Sequence, residues 1–310
     1  MDFKTFSKKF KTKFLKFWRS DNTKISLLRD VLIAFFLVLL ILTALWAYTG
    51  QWFGAPMVAI ESGSMMHDDE PFGRIGTIDA GDMVLLVKVN SRNELSTQAE
   101  RDPDKYFYWD YGDVIIYRPY GNENRDQIIH RARCWVEYHE EYDTYTVEEY
   151  GIYNESEGVI IPELGLTKTC CNNKPYRPEH SGYITKGDNN AACDQLYSNL
   201  CDEPIKLEWI SGRASGELPW IGTINLFFND LTSGKNTVGN VPGDSLVCLI
   251  ILIAVLISIP VSLDIYDYIK TKNKEKQKIE KRFVERKEEK KQEIKKEENV
   301  DNIYDKIDKM

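Results

Sequence analysis

Residues 112–138, GDVIIYRPYGNENRDQIIHRARCWVEY, hold two β-like runs, DVIIYRP (113–119) and QIIHRARCWVEY (127–138), parted by Pro, Gly, Asn and Asp. β-branched and aromatic side chains in short runs bounded by turn formers favour strands. The same texture recurs upstream in MVLLVKV (83–89) and downstream in TYTVEEY (144–150) and GYITKGD (182–188). Residues 55–228 are therefore expected to form a mostly β domain. Within it, 139–181 is rich in Glu, Tyr and loop formers and contains the sequon Asn154-Glu155-Ser156. That stretch reads as an inserted hairpin and loop, a decoration of the domain.

Outside this region the apolar residues concentrate in two uncharged runs, VLIAFFLVLLILTALWAY (31–48) and LVCLIILIAVLISIPVSL (246–263). As helices at 1.5 Å per residue, each nearly crosses a hydrocarbon layer of about 30 Å. The first has a long basic lead-in and no small-x-small cleavage site after Tyr48, so an uncleaved anchor is expected. Lys4, Lys8, Lys9, Lys11, Lys13, Lys16, Arg19, Lys24 and Arg29 precede the first run, and Lys270, Lys272, Lys274, Lys276 and Lys278 follow the second. Positive flanks stay in the cytoplasm. Both ends are thus expected inside, with the segment between the runs, where acids outnumber bases, outside a cell membrane or in the endoplasmic-reticulum lumen.

At the N-terminus, Phe3, Phe6, Phe10, Phe14 and Phe17 recur at steps of three and four among lysines. That spacing predicts an amphipathic helical arm over 1–30, lying on the anionic inner leaflet; a disordered basic arm is the alternative. Residues 264–310 carry Lys and Glu at helical spacing with hardly any apolar stripe, a solvated single helix or a disordered tail. Cys134, Cys170, Cys171, Cys193 and Cys201 fall in the outer segment and Cys248 in the second run. Five cysteines facing an oxidising compartment leave at least one free or paired between chains. No CxxC pair has metal spacing, which argues against a zinc site.

Four motifs stand in order in the outer segment: Glu61-Ser62-Gly63-Ser64-Met65-Met66; Gly81-Asp82-Met83-Val84; Gly112-Asp113-Val114 with Ile129-His130-Arg131; and Gly187-Asp188-Asn189-Asn190-Ala191-Ala192-Cys193-Asp194. Gly212-Arg213-Ala214, Pro219 and Gly222 close the region. A serine hydroxyl becomes a nucleophile when a neighbouring neutral imidazole takes its proton, and a carboxylate holds that ring in the productive tautomer. Serine, histidine and aspartate are all present.

Together the motifs resemble the signal peptidase I family, in the archaeal and endoplasmic-reticulum branch that has His where the bacterial branch has Lys. The resemblance covers about 55–228 and implies a signal-peptidase-like antiparallel β domain between two transmembrane helices. It implies a membrane-bound serine endopeptidase that removes N-terminal signal peptides after small-x-small sites. By the same resemblance Ser64 is the nucleophile, His130 the general base and Asp194 its orienting partner. Asp188 supports the site, and Ser62 lends an oxyanion donor beside the backbone N–H of Ser64. Asp82 is expected to be structural.

The implied partners are secretory preproteins, membrane lipid and the protein translocation machinery, with no nucleic acid and no cofactor. One departure is the acidic insertion Met66-His67-Asp68-Asp69-Glu70 before Pro71, where the family often has Pro soon after Ser-Met. It introduces His67 as a rival base, which its acidic neighbours should hold in the charged form. His139 and His180 read as surface residues. An extended substrate is expected to add to a sheet edge near Ser64, with pockets lined by Ile60, Met65 and Val84. A protease with a narrow set of surface-protein precursors and a non-catalytic membrane-tethered binding module are the alternatives.

Overall fold

The computed structural model describes residues 17, 18, 20, 22–168 and 174–307, and side chains as far as 283 together with 286 and 287. Phe3, Phe6, Phe10 and Phe14 of the basic arm, and Cys170 and Cys171, lie outside the described residues. The chain divides into two units, Met1–Cys248 and Leu249–Met310.

The first unit opens with helix α1 (Thr23–Thr49), which contains the expected 31–48 run. Asn22 caps it, its side chain accepting from Lys24 N–H at 3.0 Å, and Gly50 ends it in the left-handed region at φ 70°. A helix apolar on every side would be buried in a large protein core, yet the apolar window of α1 has no buried residue. The second unit is the continuation of α3 (Gly243–Ile307), a single helix that takes in both the 246–263 run and the charged tail. The tail is therefore helical through Ile307, the first of its two expected forms. Both helices are long and apolar enough to cross a membrane.

Between them, eight of the described strands make one antiparallel sheet in the order β1 (Met57–Ala59), β2 (Met83–Val87), β10 (Ile210–Leu218), β5 (Val114–Tyr117), β6 (Ile128–His139), β7 (Thr144–Val147) and β8 (Ile152–Glu155), with β9 (Gly182–Lys186) also paired to β6. β3 (Tyr106–Phe107) and β4 (Asp110–Tyr111) form a separate two-stranded ribbon. β6 is the spine. Its first residues pair with β5, placing His130 opposite Ile115, and 131–136 pair with β9, placing Arg131 opposite Lys186. Helix α2 (Gly222–Ser233), not expected from the sequence, follows β10.

Residues 139–181 are more than decoration. They supply β7 and β8, and their Tyr145, Val147, Val159, Ile161, Leu164, Leu166 and Tyr176 pack on Cys134 and Val136 of β6, Ile184 of β9 and Cys193. Burying these eleven side chains makes a second core that braces the strand pair carrying His130 and the loop carrying Asp194. One direct tie is Cys193 N–H donating to Leu164 C=O at 3.0 Å. Turn-forming composition concealed this, because beyond the 144–150 run the apolar residues are parted by Gly, Pro, Asn and Glu.

Candidate active site

Ser64 sits in a turn early in the long connection between β1 and β2, held from both sides. The next residue, Met65, is 1% exposed and packs with Ile60, Val84, Ile116 and Ala214, so its side chain pins the turn to the sheet. On the other side, Asn189 N–H donates to Ser64 C=O at 2.9 Å and the Asn189 amide donates to Gly63 C=O at 3.1 Å. Gly187 makes this docking possible. A Cβ there would stand 2.5 Å from Ser64 O and 2.9 Å from His130 Nε2, closer than side chains approach.

Across this contact Ser64 Oγ lies 3.0 Å from His130 Nε2, and His130 Nδ1 lies 2.6 Å from Asp194 Oδ2. His130 is on rigid β6 and 4% exposed; Asp194 is fully buried in a short turn after the 187–193 loop. The same Asp194 oxygen accepts from Thr185 Oγ1 at 2.6 Å and Tyr117 OH at 2.8 Å. Three donors on one buried oxygen fix the carboxylate and, through it, the ring. Ser62 Oγ is 3.3 Å from Ser64 Oγ, on the exposed side of the turn.

Asp188 is placed differently from the other expected residues. Its carboxylate receives Arg131 Nε at 2.9 and 3.0 Å and Nη2 at 2.5 Å, and Arg133 Nη2 at 2.9 Å. Burial would raise its pKa, but hydrogen bonds from His67 and Arg131 and the charges of both arginines win, bringing it down to about 2. The rest of the Arg131 guanidinium spans the carbonyls of Phe107, Tyr108, Asp110, Tyr111 and Gly112. Asp188 thus supports the site at one remove, by neutralising the buried arginine that follows His130 in β6.

His67 does not reach Ser64 by any described contact. Its Nε2 lies 3.3 Å from Asp188 Oδ2 and its ring tilts over Trp109 at 6.2 Å. The Asp188 carboxylate beside it raises its pKa, against the opposing effect of burial. His139 and His180 are half-buried at the surface: His139 Nε2 is 2.9 Å from Thr146 Oγ1, and His180 Nδ1 is 2.9 Å from Ser181 O. The Gly81-Asp82 motif is a brace, Asp82 accepting from Asp79 N–H at 2.9 Å and Trp220 N–H at 2.8 Å. Burial pushes Asp82 up to about 7. Cys134, Cys193 and Cys201 are buried free thiols, and Cys248 is a half-buried one.

A cleft of about 550 Å³ opens beside the Ser64–His130 pair. Met57, Val58 and Ala59 of β1 and Ile60, Ile128 and Ile129 give it an apolar wall. Ile60 lines it as expected, whereas Met65 and Val84 face inward to the core and do not. The inward-facing alternation of β2 accounts for Val84. Among the described residues no group of acids, histidines and cysteines has the geometry of a metal site.

Sequence reasoning missed Tyr117, Thr185 and Asn189. Tyr117 and Thr185 stand inside β-like runs and Asn189 inside a motif, but nothing in a strand pattern says which hydroxyl meets a carboxylate 77 residues away. In comparisons with known proteins, no family model matches this chain and no curated protein matches it.

Proposed function

We propose that this chain is a membrane-anchored serine endopeptidase of the signal peptidase I type, cleaving secretory precursors after small-x-small sites on the outer or luminal side. The observation that carries the reading is the line Ser64 Oγ, His130 Nε2, His130 Nδ1, Asp194 Oδ2, at 3.0 and 2.6 Å. In this scheme His130 Nδ1–H donates to Asp194, which leaves Nε2 with its lone pair toward Ser64. Ser64 Oγ attacks the scissile carbonyl carbon as its proton passes to Nε2, and Asp194 stabilises the imidazolium. The oxyanion is met by Ser62 Oγ–H and the backbone N–H of Ser64. Collapse breaks the C–N bond with His130 returning the proton to the leaving amine, and water then hydrolyses the acyl-Ser64 ester by the same relay.

Placement supports the substrate class. Ser64 comes 15 residues after α1 ends, so the cleft meets chain that emerges from the bilayer the helix crosses. β1 ends the strand order, and its residues wall the cleft, so an extended peptide can pair with its free edge. The test is incubation of the detergent-solubilised protein with a secretory precursor, the products read by mass spectrometry. A single cut after a small-x-small site is expected. An uncut precursor, or scattered cuts, would refute the assignment.

A further inference from the structure

Helix α2 is amphipathic in the reverse sense from a helix of a soluble domain. Its small and polar side shelters against the sheet: Gly222 and Thr223 are buried, Thr223 N–H donates to Gly81 C=O at 2.8 Å, and a Cβ on Gly222 would meet Asp82 O at 2.2 Å. Apart from Leu226, its apolar residues point the other way. Ile224, Phe227, Phe228 and Leu231, spaced i, i+3, i+4 and i+7, form one exposed stripe, with Phe228 61% and Leu231 67% exposed. Asp230 locks the helix end by accepting from Thr237 and Val238 N–H, both at 2.9 Å, so the stripe is presented by a fixed element.

The nature of the surface that covers this stripe is set by its neighbours. Phe72 and Ile75 are exposed on a loop tied to the first turn of α3, Gly73 N–H donating to Asp244 Oδ2 at 3.0 Å and Arg74 Nε to Asp244 Oδ1 at 3.2 Å. The same loop is tied to the residue before the α2 entry, Trp220 Nε1 donating to Gly73 C=O at 2.8 Å. Trp52 and Phe53 are exposed just beyond α1, with Phe53 against Trp46 at 5.4 Å. Exposed apolar residues thus flank the end of α1 and the first turn of α3, and a bilayer crossed by these helices would present its headgroup boundary at such ends.

We infer that α2 is an interfacial helix, its Ile224–Phe227–Phe228–Leu231 stripe seated among the lipids of the same bilayer that α1 and α3 cross. Asn225 of this helix lines the cleft beside Ser64, so the seat also fixes the height of the cleft above the membrane. The inference rests on the two apolar helices crossing a bilayer and is independent of the protease chemistry.

The test uses the full chain in membranes, with the photoreactive residue p-benzoylphenylalanine placed singly at Phe228 or Leu231, and at Phe36 of α1 and exposed Tyr142 as controls. After irradiation, mass spectrometry reads what each position has bonded to. Lipid adducts at Phe228, Leu231 and Phe36 but not Tyr142 are expected. In a Phe228→Asp chain the Leu231 adduct should fall severalfold while thermal unfolding stays unchanged, since Phe228 buries little in the protein. Adducts at Phe36 alone, or bonding of Phe228 to another protein, would overturn the lipid seat. Absence of lipid adducts at Phe36 as well would overturn the two spans and the seat with them.

Discussion

Gly187→Ala adds one methyl group and removes no charge, yet it should disable the site. The added carbon would lie 2.5 Å from Ser64 O, 2.8 Å from Asn190 Nδ2 and 2.9 Å from His130 Nε2, where ordinary contact begins at 3.4 Å. The Asn190 amide is a side-chain end and can swing away, but Ser64 O is backbone and His130 is fixed by Asp194. Relief therefore separates the 187–190 loop from the nucleophile turn by roughly 0.9 Å, stretching the Asn189–Ser64 hydrogen bond and the Ser64–His130 approach together. A displacement of about 1 Å in a reacting group costs on the order of 10²-fold in rate, about 2.7 kcal/mol of barrier. The assay is turnover of a secretory precursor by native and variant protein under saturating conditions, with thermal unfolding of both. A fall of about 10²-fold in kcat with little change in KM is expected. Native turnover in a well-folded Gly187→Ala chain would refute the docking of the 187–190 loop as the device that sets the nucleophile.

Four further outcomes follow from the same geometry. Asp194→Asn and His130→Ala should each lower kcat by about 10³-fold or more, whereas His67→Ala, which removes a group on Asp188, should cost tenfold or less; single-turnover kinetics separates them. Ser62→Ala should slow the chemical step by roughly 10² to 10³ with thermal unfolding unchanged, which quenched-flow measurement checks. Met65→Ala, at a position 1% exposed, should destabilise the domain by about 2–5 kcal/mol in denaturant titration. Asp82 ionises in the unfolded chain near its ordinary pKa but only near 7 when folded, so its stabilising effect is complete at low pH and is lost as pH rises toward about 7. Burial raises Glu70 and Glu217 to about 7 as well, adding in the same direction. The unfolding midpoint should thus fall between pH 4 and pH 7, with a shallower slope in Asp82→Asn.

The parts of the fold legible in the sequence were those with a period. Alternating and β-branched runs marked β2, β5, β6, β7 and β9 to within a few residues, and unbroken apolar runs marked α1 and the start of α3. Helix α2 escaped because it is short, begins after Pro219 and Trp220, and turns its apolar stripe outward. β10 was seen only as a Gly-Arg-Ala motif, since its Gly and Ser residues lack strand character. In the site, Ser64, His130 and Asp194 were singled out by the resemblance of their motifs to the signal peptidase I family, and the structure brings the three together. Asp188 carried less information, for an aspartate in the 187–193 loop looks the same in sequence whether it meets an imidazole or a buried arginine. Tyr117 and Thr185 were invisible for a simpler reason: only the β5–β6–β9 arrangement brings their hydroxyls to Asp194.

The placement of the β domain can be checked on intact cells or right-side-out vesicles, where added protease is expected to reach 55–243 and spare both lysine-rich ends. The most direct test of the central proposal is turnover of a secretory precursor by the purified native chain beside its Ser64→Ala variant, with rapid quenching and mass spectrometry of the enzyme. The account predicts a precursor cut by the native protein alone, with a transient acyl group on the peptide that contains Ser64. Cleavage at the native rate by Ser64→Ala would contradict it.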